Sequence, residues 1–259
     1  MEGPYALKLA SELGIQGIQL DIGTNERGFL LSYTVVQEAY LEMSKKFDVQ
    51  ITSLAVRELD NYGLTRENGT KEKEIAIESV MTAIDIADAM GINNVMVPSF
   101  EDGDIKTKKD FNRVAECLQQ ACDKALNKNI TISTENLLSI EENKELFSVV
   151  DRPNFTLYFD TQNYYLRKKY NAAEMVEELF PLICEVHAKD GKGGFLSGAL
   201  LGEGDSNFFE TLETLKENDY DGWILLENYY DQEPMSLTGK DPIYLLKKDI
   251  AILKNAIKT

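Results

Sequence analysis

The sequence predicts an α/β fold, a (β/α)8-type barrel that lacks its first strand, with seven strands and eight helices. Three observations predict it. Short runs rich in Ile, Val, Leu and Phe alternate with helical patterns along all 259 residues. A helix-to-strand junction recurs, Leu13-Gly14-Ile15-Gln16-Gly17-Ile18 matching Met90-Gly91-Ile92-Asn93-Asn94-Val95 in pattern. At 43% hydrophobic the chain can also build one large core, so residues 1–259 are expected to form a single domain. Alternation with short connections implies a parallel sheet.

Each element has its own signal. Pro4 suits a first helical turn, and Ala6, Leu9, Ala10 and Leu13 recur at helical spacing before Gly14 ends the helix. Strands are expected near 17–22, 50–57, 94–99, 129–135, 155–160, 183–189 and 222–227. Helices fall between and after them, near 34–47, 70–90, 107–128, 140–149, 172–180, 207–218 and 241–257. The clearest carries Ile77, Val80, Met81, Ile84 and Ala87 on one face, with Gly91 just past its end. The chain opens on a helix, where an eight-fold barrel opens on a strand. The expected consequence is an open seven-stranded barrel whose edges, near 17–22 and 222–227, recruit another segment or chain.

Composition excludes several classes. A net charge of −17 repels phosphodiester backbones and anionic lipid, which argues against nucleic acid and membrane as partners. The three cysteines, Cys117, Cys122 and Cys184, are odd in number and suggest no disulfide. The opening Met1-Glu2-Gly3-Pro4 has neither a basic nor an apolar leader segment, and no run approaches the ~18 apolar residues of a membrane span. A soluble, cytoplasmic protein acting on a small molecule is expected, with self-association left open.

Where the charges end the strands is the main functional signal. The chain has one histidine, His187, in Ile183-Cys184-Glu185-Val186-His187-Ala188-Lys189-Asp190-Gly191. Three other hydrophobic runs end in Glu135, Asp160 and Glu227. A charge that closes such a run suits a site at the strand's C-terminal end better than a core. The gaps are 25, 27 and 40 residues, each about one strand, one helix and loops. Any one of these residues alone reads equally well as an ordinary strand-end polar group; four together point to a divalent-metal site. One imidazole and three carboxylates form a hard, oxygen-rich set, suited to Mn²⁺ first and to Co²⁺ or Mg²⁺, with Zn²⁺ as a further candidate.

The stretch from His187-Ala188-Lys189-Asp190 through Leu201-Gly202-Glu203-Gly204-Asp205 to Asp219-Tyr220-Asp221-Gly222-Trp223-Ile224-Leu225-Leu226-Glu227 resembles the C-terminal third of sugar phosphate isomerases/epimerases. These are xylose-isomerase-like TIM barrels, and the likeness is to the L-ribulose-5-phosphate (L-xylulose-5-phosphate) 3-epimerase group. Asp160-Thr161-Gln162-Asn163 is similar to that group's Asp-x-x-Asn. The resemblance implies Glu135, Asp160, His187 and Glu227 as metal ligands, Glu135 and Glu227 as the acid–base pair, and Asn163 and Lys189 near the substrate. Epimerisation at C3 of an α-hydroxy ketone passes through a cis-enediolate, and two carboxylates from different strands can serve it as base and conjugate acid. An aldose–ketose isomerase would use the same chemistry between C1 and C2.

The loop after His187 is the second signal. Six of the 17 glycines fall within residues 191–204, together with Lys192, and glycine lets backbone N–H groups approach a phosphate closely. A flexible lid, or tight turns without a ligand role, is the alternative. Gln19, Asp21, Arg57, Glu58, Ser99 and Asn136 should face the mouth of the barrel, Arg57 either on substrate or in a surface salt bridge. Tyr229 and Tyr230 could wall the pocket or lie at an interface. Two further classes share the scaffold. A lyase, dehydratase or non-catalytic partner subunit remains open, whereas an abasic-site endonuclease would need several histidines and a basic face.

Overall fold

The computed structural model describes residues 3–258. The seven strands of the parallel sheet follow one another in chain order, β1 to β7, so each connection is a crossover through helical segments. The chain falls into two compact units, Met1–Leu157 and Tyr158–Thr259, and the division lies inside the strand Phe155–Asp160.

The first unit holds α1 (Ala6–Glu12), β1 (Gly17–Asp21), α2 (Thr34–Phe47), β2 (Gln50–Ala55), α3 (Lys71–Met90), β3 (Asn94–Pro98), α4 (Lys108–Ala125), β4 (Thr131–Glu135), α5 (Ile140–Val150) and the start of β5 (Phe155–Asp160). Every residue of β3 is buried, as expected of a strand covered on both faces. Its register with β4 runs from Asn94 opposite Thr131 to Pro98 opposite Glu135, which fixes Glu135 as the last paired residue of β4. The helices start where side chains can satisfy the first free N–H groups. Thr107 and Asp110 form a capping box at α4, Ser139 and Glu142 another at α5, and Thr70 accepts from the Lys73 amide at α3. Gly91, at φ +68°, ends α3 in the left-handed conformation that glycine adopts without strain. On α4 the buried stripe Phe111, Val114, Leu118, Ala121, Cys122 and Ala125 follows helical spacing and joins Leu54, Ile84, Val95, Val97 and Ile132 in the core.

The second unit holds the end of β5, then α6 (Asn163–Lys168), α7 (Ala172–Leu179), β6 (Ile183–Ala188), α8 (Phe208–Glu217), β7 (Trp223–Leu226) and α9 (Pro242–Lys258). The strands β6 and β7 pair from Glu185 opposite Trp223 to Ala188 opposite Leu226, and the Glu227 amide donates to the Ala188 carbonyl at 3.1 Å. The Tyr220 hydroxyl reaches both strands, 3.1 Å from the Cys184 carbonyl and 2.9 Å from that of Trp223.

Seven strands stand as the sequence predicts, but the described residues contain nine α-helices rather than eight. The additional helix is α6, six residues long, too short to show a hydrophobic period. It is started by Asp160, whose Oδ1 accepts from the amides of Gln162 at 2.7 Å and Asn163 at 2.6 Å. No helix among the described residues is long and apolar enough to cross a membrane. Among the described residues Cys117, Cys122 and Cys184 form no disulfide.

Candidate active site

Strand periodicity builds the site of the second unit. On β5, Tyr158 and Asp160 are two residues apart and point to the same side; after them, His187 and Lys189 do the same at the end of β6. Glu227 follows β7 directly. Asp160, His187 and Lys189 are almost fully buried, while the Glu227 side chain keeps 31% of its surface accessible. The Lys189 ammonium lies between the two carboxylates, 3.0 Å from Asp160 Oδ2 and 2.6 Å from Glu227 Oε2. His187 Nδ1 is 3.1 Å from the same Glu227 oxygen. The Tyr158 ring packs on the imidazole with centroids 4.4 Å apart, which fixes the plane in which His187 can present its nitrogens.

The electrostatics follow from this packing. Burial alone pushes the Glu227 carboxyl up, but His187 and Lys189 beside it outweigh that effect and hold it well below the ordinary carboxylate range. Asp160, His187 and Glu227 each offer a ligand atom, and these atoms lie within 4.8 Å of one another. Asp160 Oδ2 and Glu227 Oε2 are buried oxygens whose charged neighbour is Lys189, with His187 also beside the second. Two such oxygens and an imidazole nitrogen form a donor set that fits a hard divalent ion. A cluster of buried acids and a histidine able to hold a metal is therefore present.

The other sequence-predicted residues are placed as follows. Asn163, the first residue of α6, is buried and tied to Asp160 through its amide. Lys192 is exposed on the loop after β6, beside Gly193 and Gly194 at φ +64° and +84°. Tyr230 donates to the buried Asp249 at 2.9 Å, a structural tie, and the Tyr229 hydroxyl is 3.4 Å from Glu227 Oε1. In the first unit Glu135 is buried at the end of β4, and its carbonyl accepts from the Ser99 amide at 2.8 Å. Arg57 is 64% exposed, with Asp60 at 4.0 Å. Glu58 and Asn136 are buried in local hydrogen bonding, Glu58 with the Asn25 amide and Asn136 with Asn143 and the Leu138 amide.

Sequence reasoning missed Tyr158, although its spacing from Asp160 was visible, and missed that Lys189 is the cation lodged between two carboxylates. It also missed Thr161, whose hydroxyl donates to the Lys189 carbonyl at 2.7 Å and accepts from the Lys189 amide at 2.9 Å.

Comparison with known proteins agrees with this architecture. A 2-epi-5-epi-valiolone 7-phosphate 2-epimerase from Actinoplanes sp. is 30% identical over 230 residues, covering 84% of this chain and 83% of that protein. The L-ribulose-5-phosphate 3-epimerase UlaE of Shigella flexneri is 25% identical over 248 residues, 91% of this chain and 83% of its own. Among solved structures, the D-psicose 3-epimerase of Clostridium cellulolyticum H10 with D-tagatose superposes with a TM-score of 0.79 at 12% identity, over 98% of this chain and 93% of that one, a likeness of fold. The Xylose isomerase-like TIM barrel family matches residues 7–256, and the chain belongs to that family.

Proposed function

We propose that the protein is a divalent-metal-dependent 3-epimerase of a ketose phosphate. Related epimerases support an enzyme of the isomerase class acting on sugars. The observation that carries the reading is the buried cluster of Asp160, His187, Lys189 and Glu227 at three successive strand ends. Glu135, buried at the end of β4, is proposed as the fourth member of the ligand set. When bound, the ion would act as a Lewis acid toward the oxygens on C2 and C3 of the substrate.

The chain's own residues have separate tasks in this reading. Glu227, held ionised by His187 and Lys189, takes the C3 proton as a general base. Glu135 returns a proton to the opposite face of the substrate's enediolate, and the reverse reaction exchanges the two roles. Lys189 and Asn163 orient the hydroxyls near the reacting carbons. Lys192, exposed on the glycine-rich loop, and the exposed guanidinium of Arg57 are proposed to meet the anionic end of the substrate. The phosphate is supported by the substrates that the two relatives' names carry, a 7-phosphate and a 5-phosphate. Manganese as the native ion and the cytoplasm as its place of action belong to the same proposal.

The test is turnover of L-ribulose 5-phosphate by protein stripped with a chelator and then supplied with Mn²⁺. Epimerisation that is lost on stripping and restored by the ion supports the reading. Equal turnover by the stripped and reloaded protein overturns its metal dependence, and no turnover with any ketose phosphate overturns the reaction.

A further inference from the structure

The glycine-rich loop after β6 is built around one buried carboxylate. Asp190 is fully buried and accepts five hydrogen bonds, all from the loop that follows it. Its Oδ1 takes the Gly191 amide at 2.8 Å, the Ser206 hydroxyl at 2.7 Å and the Ser206 amide at 3.4 Å. Its Oδ2 takes the amides of Gly202 at 2.9 Å and Gly204 at 3.0 Å. The fit is close: a Cβ on Gly204 would stand 2.1 Å from Asp190 Oδ1.

The same loop is fastened to the residue or two following two strand-end members of the cluster, Asp160 and Glu227. After Asp160, Gln162 accepts from the Ser197 amide at 2.9 Å and donates to the Phe195 carbonyl at 2.9 Å. After Glu227, Asn228 accepts from the Asp190 amide at 3.1 Å and donates to the Ala199 carbonyl at 3.0 Å and to Asp249 at 2.7 Å. Asp249 in turn accepts from the Leu201 amide at 2.9 Å. The Ser197 hydroxyl donates to the carbonyl of Glu227 itself at 3.1 Å. A mobile lid leaves such groups to solvent; here they are spent on anchoring.

We propose that Asp190 is a positioning residue: by folding the loop Gly191–Ser206 onto its carboxylate, it holds the adjoining Lys189 ammonium between Asp160 and Glu227. Lys189 precedes it directly, so the Lys189 backbone is clamped by Thr161 on one side and by the Asp190–Asn228 contact on the other. The loop is then a preformed wall of the substrate pocket. The kinetic part of this inference rests on the proposed epimerase reading; the placement of Lys189 does not.

The test compares the wild type with Asp190→Asn, whose side-chain amide would face the Gly202 and Gly204 amides donor to donor. Hydrogen exchange should quicken by roughly tenfold or more across 191–206, matching the loss of hydrogen bonds to a charged group. Reductive methylation read by mass spectrometry should modify Lys189 in the variant and leave it protected in the wild type. With L-ribulose 5-phosphate, KM should rise about tenfold while kcat falls less, because substrate placement rather than the proton-transfer pair is disturbed. Mn²⁺ binding should persist. Ser206→Ala, which removes one hydrogen bond, should shift each readout the same way by a smaller amount and decides the matter if Asp190→Asn does not fold. A folded Asp190→Asn protein with Lys189 still protected and KM unchanged would overturn the proposal. Should the wild type turn over no ketose phosphate, the epimerase reading fails while exchange and methylation still decide the role of Asp190.

Discussion

Lys189 Nζ lies 2.6 Å from Glu227 Oε2, so the residue proposed as general base is held by a lysine from the neighbouring strand end. The same ammonium reaches Asp160 at 3.0 Å, and its side chain is 3% exposed. One cation therefore offsets the mutual repulsion of two neighbouring carboxylates.

Lys189→Met should accordingly destabilise the protein. Removing one partner of a buried pair costs about 3–5 kcal/mol, and the partial exposure of Glu227 brings the expectation to roughly 2 kcal/mol. Urea denaturation read by circular dichroism checks this, and an unchanged midpoint would count against the pairing.

His187→Ala tests the ligand set. Loss of a residue that merely orients a ligand costs 10–100-fold in metal affinity, so loss of a ligand should weaken Mn²⁺ binding by ~10²-fold or more. The pairing of His187 Nδ1 with Glu227 at 3.1 Å means the variant also loses a contact to the base. Titration calorimetry showing wild-type affinity would remove His187 from the site.

Much of this was legible in the sequence. The run Phe155–Asp160 reads as a strand because aromatic, aliphatic and β-branched residues continue up to a single terminal charge, and β5 occupies those residues. Asp160, His187 and Glu227 stood out as charges closing apolar strands. Any one alone reads equally well as an ordinary strand-end polar group, and with Glu135 their recurrence in four units made them candidates. Lys189 was harder: a lysine after a strand ordinarily reaches solvent, and its burial depends on two carboxylates far away in the sequence. Helix α6 escaped because its start is set by the Asp160 side chain rather than by any period of its own. The work of Asp190 was hidden too, because its partners meet it only after the loop folds back.

A stability prediction follows from Asp102, in the 3-10 turn after β3. Burial raises its carboxyl, but the bond from Arg66 Nε at 2.7 Å and the Gly63 amide at 2.8 Å outweigh this and lower it below the ordinary value. A group whose folded pKa is lowered contributes stability above its unfolded value, about 3.9, and loses that contribution as pH falls through the folded pKa. The wild type should exceed Asp102→Asn by about 1 kcal/mol at pH 7, and the gap should close as pH falls below about 4. Equal stability at pH 7, or a gap that widens in acid, contradicts the assignment.

The central claim, that Glu135 and Glu227 move the C3 proton between two faces of a ketose phosphate, is tested most directly in D₂O. L-Ribulose 5-phosphate with Mn²⁺ and the wild type should gain deuterium at C3 by NMR. Glu227→Gln and Glu135→Gln keep the side-chain size but remove one of the two proton carriers, and each should slow net epimerisation by ~10²-fold or more. Exchange at C1 alone, or wild-type epimerisation by either variant, would contradict the two-carboxylate account.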